Sequence, residues 1–95
     1  MDVRVLSIRL LPGSKATRAF ADVEIGGISI RDFRVYQTNG KPSVRNPFTA
    51  YKDHEGNLLF REIITLPPNV KAEADALILS EYFRRLKESR HEQTE

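Results

Sequence analysis

The side chains that could do chemistry are few. Two histidines, His54 and His91, stand 37 positions apart, and cysteine is absent. A zinc site needs a cluster of nitrogen, sulfur or carboxylate ligands, and this spacing supplies none, so neither a metal nor a cofactor is expected. Asp53-His54-Glu55 combines acid and base in adjacent positions. Three consecutive residues ahead of a glycine nevertheless read as a solvated turn rather than an acid–base pair. The serines have no partnered base. Gly26-Gly27 lacks the following helix that a phosphate-cradling loop requires. No enzymatic activity is expected.

Binding chemistry is better represented. Lys41, Arg45, Lys52 and Arg61 are interleaved with Phe48 and Tyr51. Cations beside planar rings suit single-stranded nucleic acid, because rings stack on bases while cations track phosphates. The competing reading is that Phe48 and Tyr51 anchor a loop to the core and the cations merely solvate it. A second basic group, Arg84, Arg85, Lys87 and Arg90, falls near the C-terminal end of a helix. Cations there also complement the helix dipole. Such a helix could meet a nucleic-acid backbone, although Glu88 and Glu92 dilute its charge.

The elements that must position these residues begin with a strand from Asp2 to Leu11, whose apolar parity changes partway along. Pro12-Gly13-Ser14-Lys15 forms a turn. Ala16 to Ile25 alternates cleanly, with Ala19, Ala21, Val23 and Ile25 inward and Asp22 and Glu24 outward. Gly26-Gly27 makes a two-residue hairpin. In the strand Ile28 to Tyr36, Ile28 and Ile30 are even-numbered but Phe33 and Val35 odd-numbered. That parity change requires an extra residue near Arg31-Asp32, a β-bulge that re-aims the neighbouring charges. Arg31 and Arg34 point to opposite faces unless that bulge brings them together, so at most one is expected in a shared patch.

After the Asn39-Gly40 turn, Pro42 to Asn46 reads as a short edge strand, residues 47–57 as a loop, and Leu58 to Thr65 as a fifth strand. A helix follows Pro67-Pro68, with Asn69 as its cap. Ala72, Ala76, Leu79, Tyr82, Phe83 and Leu86 are expected to face the sheet. That leaves Val70 and Leu77 opposite, either as isolated exposed aliphatics or as a dimer or partner interface. The fold class is thus α+β. An antiparallel sheet of about five strands, a meander with a Gly-Gly hairpin, is covered by one C-terminal helix within residues 1–90, and 91–95 form a polar, frayed tail.

At 95 residues the chain is one small domain with a marginal core, and association into a homodimer would help it. Arg4 and Arg9 interrupt the first apolar run, so no secretory signal or membrane segment is expected and the location is expected to be cytoplasmic. The net charge is only +2, but residues 31–61 carry six basic groups against three acidic ones. A basic centre suits a polyanion partner.

A family resemblance rests on several of these pieces. Ile30-Arg31-Asp32-Phe33-Arg34-Val35, Asn39-Gly40, Ser43-Val44-Arg45-Asn46-Pro47, Phe60-Arg61-Glu62-Ile63 and Asp75-Ala76-Leu77 through Glu81-Tyr82 occur in order. Together they resemble the SpoVG (stage V sporulation protein G) family of bacterial septation regulators, over roughly residues 2–84. The resemblance implies a cytosolic, dimeric regulator of septation, sporulation or gene expression that binds DNA or RNA. It also draws attention to Arg34 and Arg61, which match motif arginines and could equally pair with Asp32 or Glu62. Two departures stand out. Arg31 replaces the family's histidine, and Pro47 leads into a longer segment with two aromatics and one lysine, where the family has a short basic run. A protein-interaction module, using the exposed helix face and the long loop, is the alternative.

Overall fold

The computed structural model describes residues 2–13 and 15–93, the last four as backbone only. Six strands and one helix follow in order: β1 (Val3–Leu10), β2 (Thr17–Ile25), β3 (Ile28–Tyr36), β4 (Ser43–Arg45), β5 (Phe48–Lys52), β6 (Leu58–Glu62) and α1 (Pro68–Gln93). The architecture is α+β, as expected. The strands divide, however, into an antiparallel sheet β1-β2-β3-β4 and a separate two-stranded ribbon β5-β6. The segment read as a loop over 47–57 is half strand, and the strand expected over 58–65 stops at Glu62. No helix among the described residues is long and apolar enough to cross a membrane.

Bulges resolve the parity conflicts. In β1, the register slips between Val5 and Ser7, so Leu6 is extruded while Val3, Val5, Ile8 and Leu10 turn inward. In β3, Val23 pairs with Ile30 but Ala21 with Phe33, which leaves Asp22 facing the extra residue at Arg31-Asp32. Asp32 takes φ of 70°, a left-handed conformation that aspartate tolerates better than most residues, and its N–H donates to Asp22 Oδ1 at 3.2 Å. A third slip sits at Arg18, between Thr17 and Ala19. The Gly26-Gly27 hairpin has φ of 56° and 84°, positive at both central residues as a type I′ turn demands.

The core lies between one sheet face and α1. Ala19, Ala21, Val23, Ile25, Phe33 and Val35 meet Val70, Ile78 and Tyr82 there. The buried helical row is Val70, Ala74, Ile78 and Tyr82, spaced four apart, with Leu79 and Leu86 alongside. This corrects the expected face. Ala72, Ala76 and Phe83 are exposed, and Val70 is a core residue rather than an interface residue. Apolar residues surround most of this helix, so periodicity alone had no single direction to choose. Leu77 does remain exposed.

The helix starts at Pro68, so Asn69 lies inside its first turn and is not the cap. The Lys71 N–H instead closes onto the Pro67 carbonyl at 2.9 Å. Lys71 Nζ reaches Asp75 at 2.6 Å and the Val44 carbonyl at 3.1 Å, which ties α1 to β4. Its backbone continues past Arg90 to Gln93, so residues 91–93 are helical rather than tail. The expected turn at Ser14, the side chains of Arg90 and His91, and the tail at 94–95 lie outside the described residues.

Candidate nucleic-acid interface

Because β2 and β3 bury their odd-numbered residues after the bulges, Phe20, Arg34 and Tyr36 project from the sheet face opposite the helix. Phe20 lies directly across from Arg34, and Arg34 directly across from Arg45 on β4. Two arginines thus stand side by side on the same face. The Arg34 guanidinium sits 4.4 Å from the Phe48 ring centre and 5.1 Å from that of Phe20, and Arg45 lies 4.7 Å over Tyr36. Rings attract cations through their negative faces, so these contacts orient both guanidinium groups without neutralising them. Among the described residues, neither arginine has a carboxylate within salt-bridge distance.

The ribbon completes the site. Asn46 is buried and its side-chain amide donates to the Ile64 carbonyl at 3.3 Å, while Ile63 N–H donates to Pro47 O at 2.9 Å. These bonds close the ribbon's base. Pairing of Ala50 with Phe60 and Phe48 with Glu62 puts Phe48, Ala50 and Phe60 on one side. Phe48 and Phe60 meet edge to face, with centroids 5.6 Å apart. Together with Thr17, Arg34, Tyr36 and Arg45 they line an open cleft of about 420 Å³. Phe60 remains 61% exposed at its lip.

Two other arginines of the sheet are paired. Arg9 donates to Asp22 at 2.9 Å and to Asp32 at 3.3 Å, and Arg4 pairs with Glu24 at 2.9 Å. Partial burial by itself raises the Asp22 carboxyl. Hydrogen bonds from Arg9, the Asp32 N–H and the Ser7 hydroxyl outweigh it and hold the group below its ordinary pKa. The bulge therefore spends Asp32 on Arg9, so Arg34 does not pair with it. Arg31 does not line the cleft.

Alternation along the ribbon separates the two aromatics that the sequence placed together. Tyr51 lies on the opposite side from Phe48, where Arg61 stacks over it at 5.0 Å. Arg61 has no ion pair with Glu62 among the described residues. Lys52 ends β5, and Lys41 is exposed in the turn before β4. At the ribbon tip, the Asp53 carboxylate accepts the N–H groups of Glu55 and Asn57, both at 2.9 Å, as well as the Asn57 side-chain amide. The Asn57 N–H is the chief reason its pKa falls below the ordinary value. Asp53-His54-Glu55 is a turn whose acid is occupied by its own backbone.

The helix-end cations form a different environment. Arg84 is bound by both Glu81 and Glu88, and Arg85 lies 4.0 Å from Glu88. Arg84 correspondingly holds the Glu81 carboxyl below its usual range, and Glu81 raises Arg84. Among the described residues Lys87 has no such partner, and it borders a groove with Gln37, Pro42 and Phe83. The structure thus brings Arg34, Arg45 and Phe48 together, sets Tyr51 and Arg61 apart, and leaves Arg84, Arg85 and Lys87 on a separate element. Phe20, Tyr36 and Phe60 were missed as site residues. The signal for two of them was present, since the alternation that points Asp22 outward also points Phe20 outward, and Tyr36 shares its parity with Arg34. No protein-family model matches this chain, and no curated protein matches it.

Proposed function

We propose that the protein is a non-enzymatic, nucleic-acid-binding regulator of the SpoVG type, acting in control of septation, sporulation or gene expression. The observation that carries this reading is the pair Arg34 and Arg45, unneutralised and flanked by rings on an open sheet face. Phosphates complement paired guanidinium groups, and rings complement bases. Lys41, Lys52 and Lys87 extend the positive surface in this reading, and Arg84 and Arg85 contribute less because glutamates already hold them. The expected architecture of a sheet with a C-terminal helix also agrees with the resemblance. In the same reading two copies associate in the cytoplasm, and the ribbon side bearing Tyr51 and Leu59, 39% and 38% exposed, offers apolar surface for a second copy.

The test is fluorescence anisotropy with mixed-sequence DNA and RNA across a range of salt. Binding whose affinity falls linearly on a log–log salt plot supports the proposal. Absence of binding at low salt rejects it. A second reading has its own observation: Leu58, Phe60 and Ile63 are 57%, 61% and 63% exposed, an apolar ribbon suited to docking another protein. Salt-insensitive association with a protein partner, without nucleic-acid binding, would favour that alternative.

A further inference from the structure

We infer that the cleft between the four-stranded sheet and the ribbon holds one nucleotide of a single strand, its phosphate between Arg34 and Arg45 and its base against Phe60. This inference rests on the nucleic-acid reading and narrows it to single strands and to one site.

The first observation is electrostatic. Arg34 and Arg45 are directly opposed across an antiparallel pair, a position in which like charges destabilise a sheet. By contrast, Arg4 and Arg9 each have a carboxylate. Arg34 and Arg45 have rings instead. The rings fix the guanidinium groups in place but leave both charges and most N–H donors available. An anion between them relieves the repulsion, and a phosphate has enough oxygens to accept from both.

The second observation is steric. The cleft of about 420 Å³ lies in the range of small-ligand sites. Its lip is Phe60, held edge-on by Phe48 and largely open to solvent. A base can reach that ring only when it is unstacked from its neighbours. Duplexes keep their base faces internal and present only phosphates and groove edges. The rings therefore favour a single strand, whereas the arginines alone do not discriminate.

Labelled oligo-dT, oligo-U and a DNA duplex of equal length test this by anisotropy, with Phe60→Ala and Arg45→Ala variants. Both substituted side chains are exposed, and circular dichroism would check that the variants fold. At least one single strand should bind more tightly than the duplex, and comparison of the two shows whether DNA or RNA is preferred. Phe60→Ala should weaken single-strand binding by about 5- to 150-fold, the loss of one base–ring stack. It should leave duplex binding little changed. Arg45→Ala should lower the salt slope by about 0.7, the value for one phosphate contact on a single strand. Photocrosslinking with 5-iodouracil should mark Phe48, Phe60 or Tyr36. Binding that is equal for duplex and single strand and insensitive to both substitutions would overturn the cleft while leaving nucleic-acid binding intact. Failure of all three probes to bind would overturn both.

Discussion

The arginines of the sheet face and those of the helix end have opposite fates. Arg84 and Arg85 find glutamates three and four residues away on their own helix, so local spacing settles their pairing. Arg34 and Arg45 are brought together from different strands, and the nearest candidate acid, Asp32, is diverted by a bulge to Arg9. A basic cluster is thus a poor guide to available charge until its partners are known. The cations that remain free are those whose local acids are used elsewhere.

The largest way to disturb this comparison acts on the support that both regions share. Ile78 is fully buried on the inner side of the helix that carries Arg84 on its outer side. Ile78→Ala should cost about 2–5 kcal/mol of stability, measured by urea denaturation. Binding at low denaturant should persist for as long as the folded fraction does.

A smaller change would loosen a cancelled region. Asp22→Asn removes the closer of the two carboxylates on Arg9, leaving Asp32, while keeping an oxygen to accept the Asp32 N–H. Arg9 lies directly across from Phe20, so its partial release should modestly strengthen oligonucleotide binding and steepen its salt dependence. The same variant tests the pH linkage. The Asp22 pKa is depressed in the fold, so its contribution to stability is fully present above the unfolded value of about 3.9 and is lost as pH falls through the lower folded value. Asp22→Asn should cost roughly 1 kcal/mol at neutral pH and flatten acid sensitivity below about pH 4. Thermal melts across pH 2–7 would show it. An unchanged acid limb would mean that Asp22 does not supply it.

The smallest effect belongs to Arg84. Exposed i,i+3 and i,i+4 pairs are screened by solvent and contribute little, so Arg84→Ala should barely move the melting temperature. It should also weaken nucleic-acid binding less than Arg45→Ala does. The reverse order would reassign the interface to the helix end.

Much of this molecule was legible from local pattern. Strict alternation in β2 gave its inner face, adjacent glycines its hairpin, and the parity change at Arg31-Asp32 its bulge. In each case the cause lies within a few residues, where steric and periodic constraints act. Three features were not local. β5 was read as a loop because, with Thr49, Ala50 and Lys52, it has little apolar alternation and exists through pairing with β6. The buried row of α1 was set by the packing of Val70, Ile78 and Tyr82 against the sheet, not by the breadth of its apolar surface. The arginine pair arose from the register between β3 and β4.

By itself, then, the amino-acid order determined the α+β class, the meander, the C-terminal helix and the presence of a basic, aromatic-bearing middle. Tertiary structure alone decided which charges stay unpaired, that Val70 belongs to the core, and that Phe20, Tyr36, Phe48 and Phe60 gather around Arg34 and Arg45. Backbone propensity and periodicity act over one or two turns of chain. Charge compensation and ring stacking depend on distances across strands, and those exist only once the register is set.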